Sequence, residues 1–235
     1  MAAEGGRGGP QQIPRPATVR AGGPPPWSDW IDTDPALGLD DVRRRLSAVT
    51  VDDAMSAVAP DLRRSAVAVL ISSLTRAGGV AAGGGSGVEV LLTRRAWTMR
   101  THRGEVSFAG GAEEDGDDFP VGTALREASE EIALVPDAVR VICPVDRYVT
   151  ITGFEVTPVI GVIPPDLPLV PSAAEVADWF EAPLDFLLDP ANHREREIDF
   201  QERKRRYYEI MWNGRRIWGA TAAMIVNLAA RLRHD

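Results

Sequence analysis

Residues 110–134, GGAEEDGDDFPVGTALREASEEIAL, decide how the chain is interpreted. Residues 123–132 are rich in Ala, Leu, Arg and Glu, which favour a helix, and Pro136 prevents that helix from continuing. On the helix, Glu127 lies three residues before Glu130 and four before Glu131, so the three carboxylates crowd one side. They occupy the C-terminal half, where the helix dipole disfavours negative charge. Stability does not explain this cluster, and we expect it to have a function.

Clustered carboxylates on one side of a helix suit a hard divalent cation. Mg²⁺ binds proteins through one or two carboxylates and shares its remaining positions with water and substrate phosphates. The simpler alternative is a solvated acidic face, because short motifs of this kind also occur without a function. The cluster by itself leaves both interpretations open.

The residues around the cluster resemble a known family. Arg126-Glu127-Ala128-Ser129-Glu130-Glu131 is similar to the REUxEE core of the Nudix box, and Gly110-Gly111 are the glycines expected before it. An upstream segment resembles the signature LLTxR[SA]xxxRxxxGxxxFPGG of the coenzyme A pyrophosphatase branch of Nudix hydrolases. That segment comprises Leu91-Leu92-Thr93-Arg94-Arg95-Ala96, Arg100, Gly104 and Phe108.

The resemblance implies an α/β fold, the Nudix α/β/α sandwich with a mixed β-sheet. It implies a pyrophosphatase that requires Mg²⁺ or Mn²⁺ and splits coenzyme A, or an acyl derivative, into 4′-phosphopantetheine and adenosine 3′,5′-bisphosphate. Glu127 and Glu131 are the expected metal ligands, and Glu130 either completes the metal shell or pairs with Arg126. All three glutamates count as catalytic candidates. The expected substrate-binding residues are Arg95, Arg100, Gly110 and Gly111.

The sequence departs from the family pattern at three places. Ala109 replaces a proline, Asp117-Asp118 stand where the general box has Glu, and Ala133 replaces the box glycine. If that last position requires a positive φ, alanine there costs about 1 kcal/mol. Two alternatives to a coenzyme A pyrophosphatase follow: a Nudix pyrophosphatase for NADH or ADP-ribose, and a catalytically weak nucleotide-binding regulator. The three retained glutamates disfavour the regulator.

Length and composition limit the architecture and the partners. A chain of 235 residues with 44% hydrophobic content predicts one domain, over residues 27–235 with an N-terminal helical extension, after a disordered tail at 1–26. A net charge of -8 argues against nucleic acid as a partner. The single Cys143 excludes an internal disulfide, and no apolar stretch suggests a membrane span or signal peptide. We expect a cytoplasmic protein with a small-molecule nucleotide substrate; a homodimer is one option for its assembly.

Hydrophobic periodicity predicts the other elements. A helix is expected over 39–48, with Val42, Leu46 and Val49 toward a core, and a flexible loop over 78–87. Asn213-Gly214 is a strong hairpin signal between strands at 207–212 and 215–218. Further strands are expected over 65–74, 88–93, 106–108, 140–145 and 156–163. An amphipathic helix broken at Pro183 is expected over 175–188, and a closing helix over 220–233.

A basic segment precedes the glycines in this acidic chain. Guanidinium groups bind phosphate well, and the resemblance selects Arg95 and Arg100 among Arg94, Arg95, Arg100, His102 and Arg103. For Trp97 we prefer packing at the core edge over stacking on an adenine base, because aromatic side chains bury large areas. Glu175 and Glu181 are secondary candidates for a further carboxylate, with solvated surface preferred for both.

Overall fold

A computed structural model of the chain describes residues 19–22, 37–47, 62–73, 87–200 and 203–233. The helices are α1 (Leu39–Ser47), α2 (Val121–Ile132), α3 (Leu184–Leu188) and α4 (Gly219–Arg233). The strands are β1 (Val19–Ala21), β2 (Arg63–Ser73), β3 (Val88–Arg95), β4 (Val106–Ser107), β5 (Ala109–Ala112), β6 (Arg140–Pro144), β7 (Tyr148–Val149), β8 (Phe154–Val162), β9 (Val176–Pro183), β10 (Arg194–Phe200), β11 (Arg203–Trp212) and β12 (Arg215–Trp218). Within these ranges, no helix combines the length and apolar character needed to cross a membrane.

The larger sheet is mixed and is built around β2. This strand runs parallel to β8 and antiparallel to β3 and β5. β8 also pairs with β6 and β7, and β3 also pairs with β4 and β9. Residues 65–72 of β2 are all buried, as expected for a central strand that is covered on both faces.

Helices cover both faces of this sheet. On one face, Ala66, Ala68 and Leu70 of β2 belong to the same buried cluster as α2. On the other face, the alternate residues Val67 and Val69 belong to a cluster with α1, α3 and α4. The alternation follows the pleat of the strand, in which successive side chains point to opposite faces. The predicted α/β fold, a mixed sheet between helices, is confirmed.

The smaller sheet is antiparallel, in the order β1-β10-β11-β12. Asn213 and Gly214 form the turn between β11 and β12 with φ of 45° and 75°, as a two-residue hairpin turn requires, so the predicted hairpin is confirmed. Val19 at the edge pairs with Ile198. This strand corrects the predicted disordered tail for residues 19–21, because backbone pairing with β10 orders them; residues 1–18 and 23–26 of that tail lie outside the described residues.

The helix predicted over 175–188 is wrong for most of its length. Residues 176–183 form β9, which pairs with β3 from Glu89 to Arg95, and only the last five residues are helical, as α3. Ala, Glu and Leu favour a helix locally, but Val176, Trp179 and Phe180 suit a strand, and an open edge of β3 pairs with the whole segment. Pairing within the sheet therefore overrides the local helix preference.

The strand predicted over 207–212 is β11, which begins four residues earlier, at Arg203. The other element predictions hold within two residues. The strands expected over 65–74, 88–93, 140–145 and 156–163 are β2, β3, β6 and β8, and the closing helix is α4. The helix expected over 39–48 is α1, with Val42 and Leu46 buried. Val49 and residues 78–86 of the expected loop lie outside the described residues.

Candidate active site

α2 presents its three glutamates in different environments. Glu131 is only 2% exposed and Glu127 is largely buried, whereas the side chain of Glu130 is 57% exposed. The helix ends at Ala133, whose φ of 53° is left-handed and whose N–H donates to Ala128 O. The condition considered for the box glycine position, a positive φ, is therefore met, and an alanine adopts it. Two of the three carboxylates face the sheet and one faces solvent.

Gly110 and Gly111 of β5 form the surface that the buried carboxylates face. Gly110 N donates to Glu131 Oε2 at 3.3 Å. A Cβ atom at Gly111 would lie 2.4 Å from Glu127 Oε1, and one at Gly110 would lie 2.4 Å from Ala66 O. A Cβ atom would clash with the backbone of β2 at Gly110 and with the end of the Glu127 side chain at Gly111, so the missing side chain at Gly111 lets Glu127 approach β5. The structure thus brings together four of the residues predicted from sequence.

Arg126 connects α2 to the loop before it. Its Nε donates to Asp117 Oδ1 at 3.1 Å and its Nη2 to Ala112 O at 2.9 Å, while Nη1 lies 3.3 Å from Glu130 Oε1 and 3.2 Å from Glu127 Oε1. The pairing with Arg126 lowers the pKa of Asp117 and raises that of Arg126. Glu130 is therefore held by Arg126, one of its two expected roles.

Asp117 is a site residue whose role the sequence did not reveal. Beside Arg126, its carboxylate accepts from Thr123 Oγ1 at 2.9 Å and from Glu114 N at 3.0 Å. These contacts fold the loop onto the start of α2. Its position in the sequence could have indicated this role, because Asp117 stands where the general box has Glu. Although aspartate is shorter than glutamate, its carboxylate still contacts Arg126.

Arg95 lies across from the carboxylates. Its Nη1 is 3.7 Å from Glu131 Oε1, and its buried Nε has no hydrogen-bond partner among the described residues. Burial raises the pKa of Glu131 to about 7; Arg95 opposes the shift, and Glu127 and Glu175 add to it. Burial also raises the pKa of Glu127, against the opposing charge of Arg126. The two buried carboxylates therefore need nearby positive charge, which Arg95 and Arg126 supply in part.

Glu175 lies near Glu127 and Glu131. From the sequence it was only a secondary candidate for a further carboxylate. It lies just before β9, close enough that its charge raises the pKa of both Glu127 and Glu131. Its carbonyl accepts from Ala96 N at 2.7 Å, which ties it to the end of β3. Glu181, the other secondary candidate, instead accepts a hydrogen bond from Ser72 Oγ and lies near Glu89.

The donor chemistry fits a hard divalent cation. Glu127 and Glu131 offer carboxylate oxygens beside the Gly110-Gly111 backbone, and oxygen donors of this kind suit Mg²⁺ and Mn²⁺. In the part of the chain that the structure describes, however, no three His, Cys, Asp or Glu side chains already stand in a metal-binding arrangement. Arg95 and Arg126 contact the two buried carboxylates in this arrangement.

The signature segment divides into a packed part and an accessible part. Leu91, Leu92 and Phe108 are core residues, and Thr93 Oγ1 donates to Ser107 O at 3.1 Å. Arg94 is 1% exposed and forms two hydrogen bonds with Asp178, at 2.9 and 3.0 Å. Arg94 thus stabilises the pairing of β3 with β9, whereas Arg95 is partly exposed and Arg100 exposed. Among the basic residues of this segment, Arg95 contacts Glu131, whereas Arg100, His102 and Arg103 are exposed in the loop after β3.

Trp97 is not at the core edge, which corrects the preferred interpretation of this residue. Its side chain is 42% exposed, and its ring lies against Gly104. The loop from Arg95 to Glu105 turns back on itself, with Gly104 N donating to Arg95 O, so the loop holds the ring away from the core. His102, in the same loop, pairs through Nδ1 with Glu105 Oε2 at 2.8 Å, and this hydrogen bond raises the pKa of His102.

Comparisons with known proteins agree with this geometry. The NUDIX domain family model matches residues 65–201, more than half of the chain. The chain is similar to the uncharacterised Nudix hydrolase NudL of Cronobacter sakazakii, at 43% identity over 143 residues that span 61% of this chain and 74% of the relative. The NudL protein of Escherichia coli K12 is 40% identical over the same shares.

Solved structures of Nudix proteins resemble the chain more distantly. A Caenorhabditis elegans Ap4A hydrolase binary complex gives a TM-score of 0.41 at 19% identity, covering 52% of this chain and 80% of that one. The NUDIX domain of Shewanella oneidensis NrtR complexed with ADP ribose gives 0.39 at 20% identity, covering 60% and 87%. Scores this low carry no functional argument. The family match and the NudL relatives do, and they show that this chain belongs to the Nudix family and is a Nudix hydrolase, a pyrophosphatase.

Proposed function

We propose that this hydrolase cleaves coenzyme A, or its acyl derivatives, into 4′-phosphopantetheine and adenosine 3′,5′-bisphosphate. One observation carries the proposal: Glu127 and Glu131 are buried against Gly110-Gly111 with Arg95 opposite, and Arg95 belongs to a segment that resembles the coenzyme A signature. A cytoplasmic location and a homodimer remain predictions from sequence.

Nudix hydrolases generally use divalent metal ions such as Mg²⁺ or Mn²⁺, and we propose that Glu127 and Glu131 hold the ion here. When bound, the ion neutralises pyrophosphate oxygens and lowers the pKa of a water, so that hydroxide is available near neutral pH. Glu130 pairs with Arg126 and orients the helix through it, and we keep Glu130 as a candidate third ligand of the metal shell. The raised pKa values of Glu127 and Glu131 support this assignment, because a cation favours the charged form of both.

The chain's own residues bind and position the substrate. Arg95 and Arg100 donate to the phosphate oxygens, and the Gly110-Gly111 backbone lies beside the carboxylates of α2. Arg126, fixed by Asp117 and Ala112 O, keeps α2 in register with β5. The packed part of the signature holds Arg95 at the end of β3.

The test is a substrate panel: coenzyme A, dephospho-coenzyme A, NADH and ADP-ribose, each with Mg²⁺ or Mn²⁺ and products identified by mass. Coenzyme A should have the highest kcat/KM. A charge-assisted contact to the 3′-phosphate contributes about 1.5–3 kcal/mol, which corresponds to a preference over dephospho-coenzyme A of about ten- to more than a hundredfold.

Arginine variants locate that contact. Arg100→Ala or Arg95→Ala should abolish the preference for the 3′-phosphate, whereas Arg140→Ala, at an exposed arginine on β6, should retain it. Equal efficiency toward coenzyme A and dephospho-coenzyme A would contradict the 3′-phosphate contact. A clear preference for NADH or ADP-ribose would overturn the coenzyme A assignment in favour of another nucleoside diphosphate derivative.

A further inference from the structure

Trp97 is an exposed aromatic residue that the proposed hydrolytic chemistry does not use. We propose that it is a specificity residue, on which the adenine base of the substrate stacks. The proposal rests on the proposed function in so far as the substrate is an adenine nucleotide. It assigns to this chain a base-binding surface next to the carboxylates of α2.

The geometry leaves one face of the ring available. A Cβ atom at Gly104 would lie 2.4, 2.6 and 2.8 Å from the Trp97 atoms Cη2, Cζ2 and Cζ3. A point beyond the ring edge cannot be this close to three successive atoms, so Gly104 packs on the face of the six-membered ring. Gly104 has φ of +67°, which glycine adopts without strain. One face is thus covered by glycine, and Trp97 is still 42% exposed, so we infer that the opposite face is the one on which a planar ligand stacks.

Hydrogen bonds within the loop order the segment that contains Trp97. Gly104 N donates to Arg95 O at 3.1 Å, Met99 N to Ala96 O at 3.2 Å, and Arg103 Nε to Met99 O at 2.6 Å. An aromatic ring that is already ordered loses little conformational entropy when a ligand stacks on it. The loop therefore presents a pre-organised surface rather than a freely rotating side chain.

The position of the loop places this ring beside the candidate active site. Residues on both sides of Trp97 contact the segment before β9: Ala96 N donates to Glu175 O at 2.7 Å, and Thr98 Oγ1 donates to Ala174 O at 3.5 Å. Glu175 is close enough to the α2 carboxylates to raise their pKa values. Arg95, two residues before the ring, contacts Glu131. A nucleotide whose phosphates lie at Arg95 can thus reach Trp97 with its base.

The test separates base binding from hydrolysis. Calorimetric titration with Mg²⁺ present measures the affinity for adenosine 3′,5′-bisphosphate, which carries the base, and for inorganic pyrophosphate, which lacks it. Trp97→Leu should weaken adenosine bisphosphate binding by about 5- to 150-fold, the range for one base–aromatic stack, and leave pyrophosphate binding unchanged. Trp97→Phe should retain most of the affinity. Ile151→Ala, at an exposed apolar residue of another loop, is the control and should bind as wild type does.

Each contrary result has a defined meaning. Unchanged adenosine bisphosphate affinity in Trp97→Leu, or no measurable binding of this nucleotide to the wild type, overturns the stacking assignment. An equal loss of affinity for both ligands also overturns it, because Trp97 would then support the loop and not the base. Hydrolysis of coenzyme A is followed in the same preparations; wild type that binds the nucleotide through Trp97 but does not cleave coenzyme A contradicts the proposed function and leaves the stacking in place.

Discussion

Two groups of three acidic side chains in this molecule have the same formal charge but different neighbours. The helix cluster consists of Glu127, Glu130 and Glu131 on α2. The strand cluster consists of Glu89 on β3, Glu181 on β9 and Asp185 in α3. Burial raises the pKa of Glu131 to about 7; burial with the charges of Glu181 and Asp185 raises that of Glu89 to about 7 as well.

The neighbours of the two clusters are what separates them. The helix cluster lies against Gly110 and Gly111, and Arg95 and Arg126 contact its carboxylates. In the strand cluster, Glu181 accepts from Ser72 Oγ and Asp185 accepts from Leu37 N, contacts that join elements of the fold. A raised pKa alone therefore does not identify a candidate active site. The glycine backbone and the partly neutralising arginines beside the carboxylates are what distinguish the helix cluster.

The largest difference between the clusters should appear in catalysis. Glu127→Gln and Glu131→Gln each keep the side-chain shape and remove a ligand charge, so each should lower kcat about a hundredfold or more. Glu89→Gln makes the same change in the strand cluster and should retain wild-type kcat. Turnover is measured on the best substrate of the panel, with circular dichroism to verify folding. Near-normal turnover in either α2 variant would remove that residue from the proposed site.

A smaller loss is expected when the glycine surface of the helix cluster is filled. Gly111→Ala places a Cβ atom 2.4 Å from Glu127 Oε1, so the carboxylate must move away. Misplacing a catalytic group by about 1 Å can lower the rate about a hundredfold, and for this variant we expect kcat to fall about tenfold. The thermal melting temperature should fall little, because the φ of Gly111 is not left-handed. Unchanged kcat would show that Glu127 need not approach β5.

The strand cluster should reveal itself through stability and not activity. The pKa of Glu89 lies above its ordinary value, so the stability it contributes is present at low pH and is lost as pH rises through about 7. Glu89→Gln should therefore be more stable than wild type at pH 8.5, by about 1 kcal/mol after solvent screening, with little difference at pH 5. Chemical denaturation at both pH values measures this. An equal difference at the two pH values would contradict repulsion within the cluster.

The sequence was most informative where periodicity and motif agreed. The carboxylates of α2 and the glycines before it were found together because helical spacing and the box resemblance select the same residues.

The errors arose where contacts distant in sequence decide the structure. Residues 176–183 contain good helix formers, but pairing with β3 and the bond between Arg94 and Asp178 make them a strand. The role of Asp117 depends on a loop geometry that spacing does not specify. The size of Trp97 alone led us to expect packing at the core edge. The fold shows instead that its ring packs on Gly104 and stays partly exposed.

The central claim, that the helix cluster is the divalent metal site, is tested most directly by Mn²⁺ titration followed by electron paramagnetic resonance. Free Mn²⁺ is measured in wild type, Glu127→Gln, Glu131→Gln and Glu89→Gln under identical conditions. The account predicts a Mn²⁺ site in wild type and Glu89→Gln that is strongly weakened in both α2 variants. Mn²⁺ binding that is unaffected by Glu127→Gln and Glu131→Gln, or is weakened only by Glu89→Gln, would contradict it.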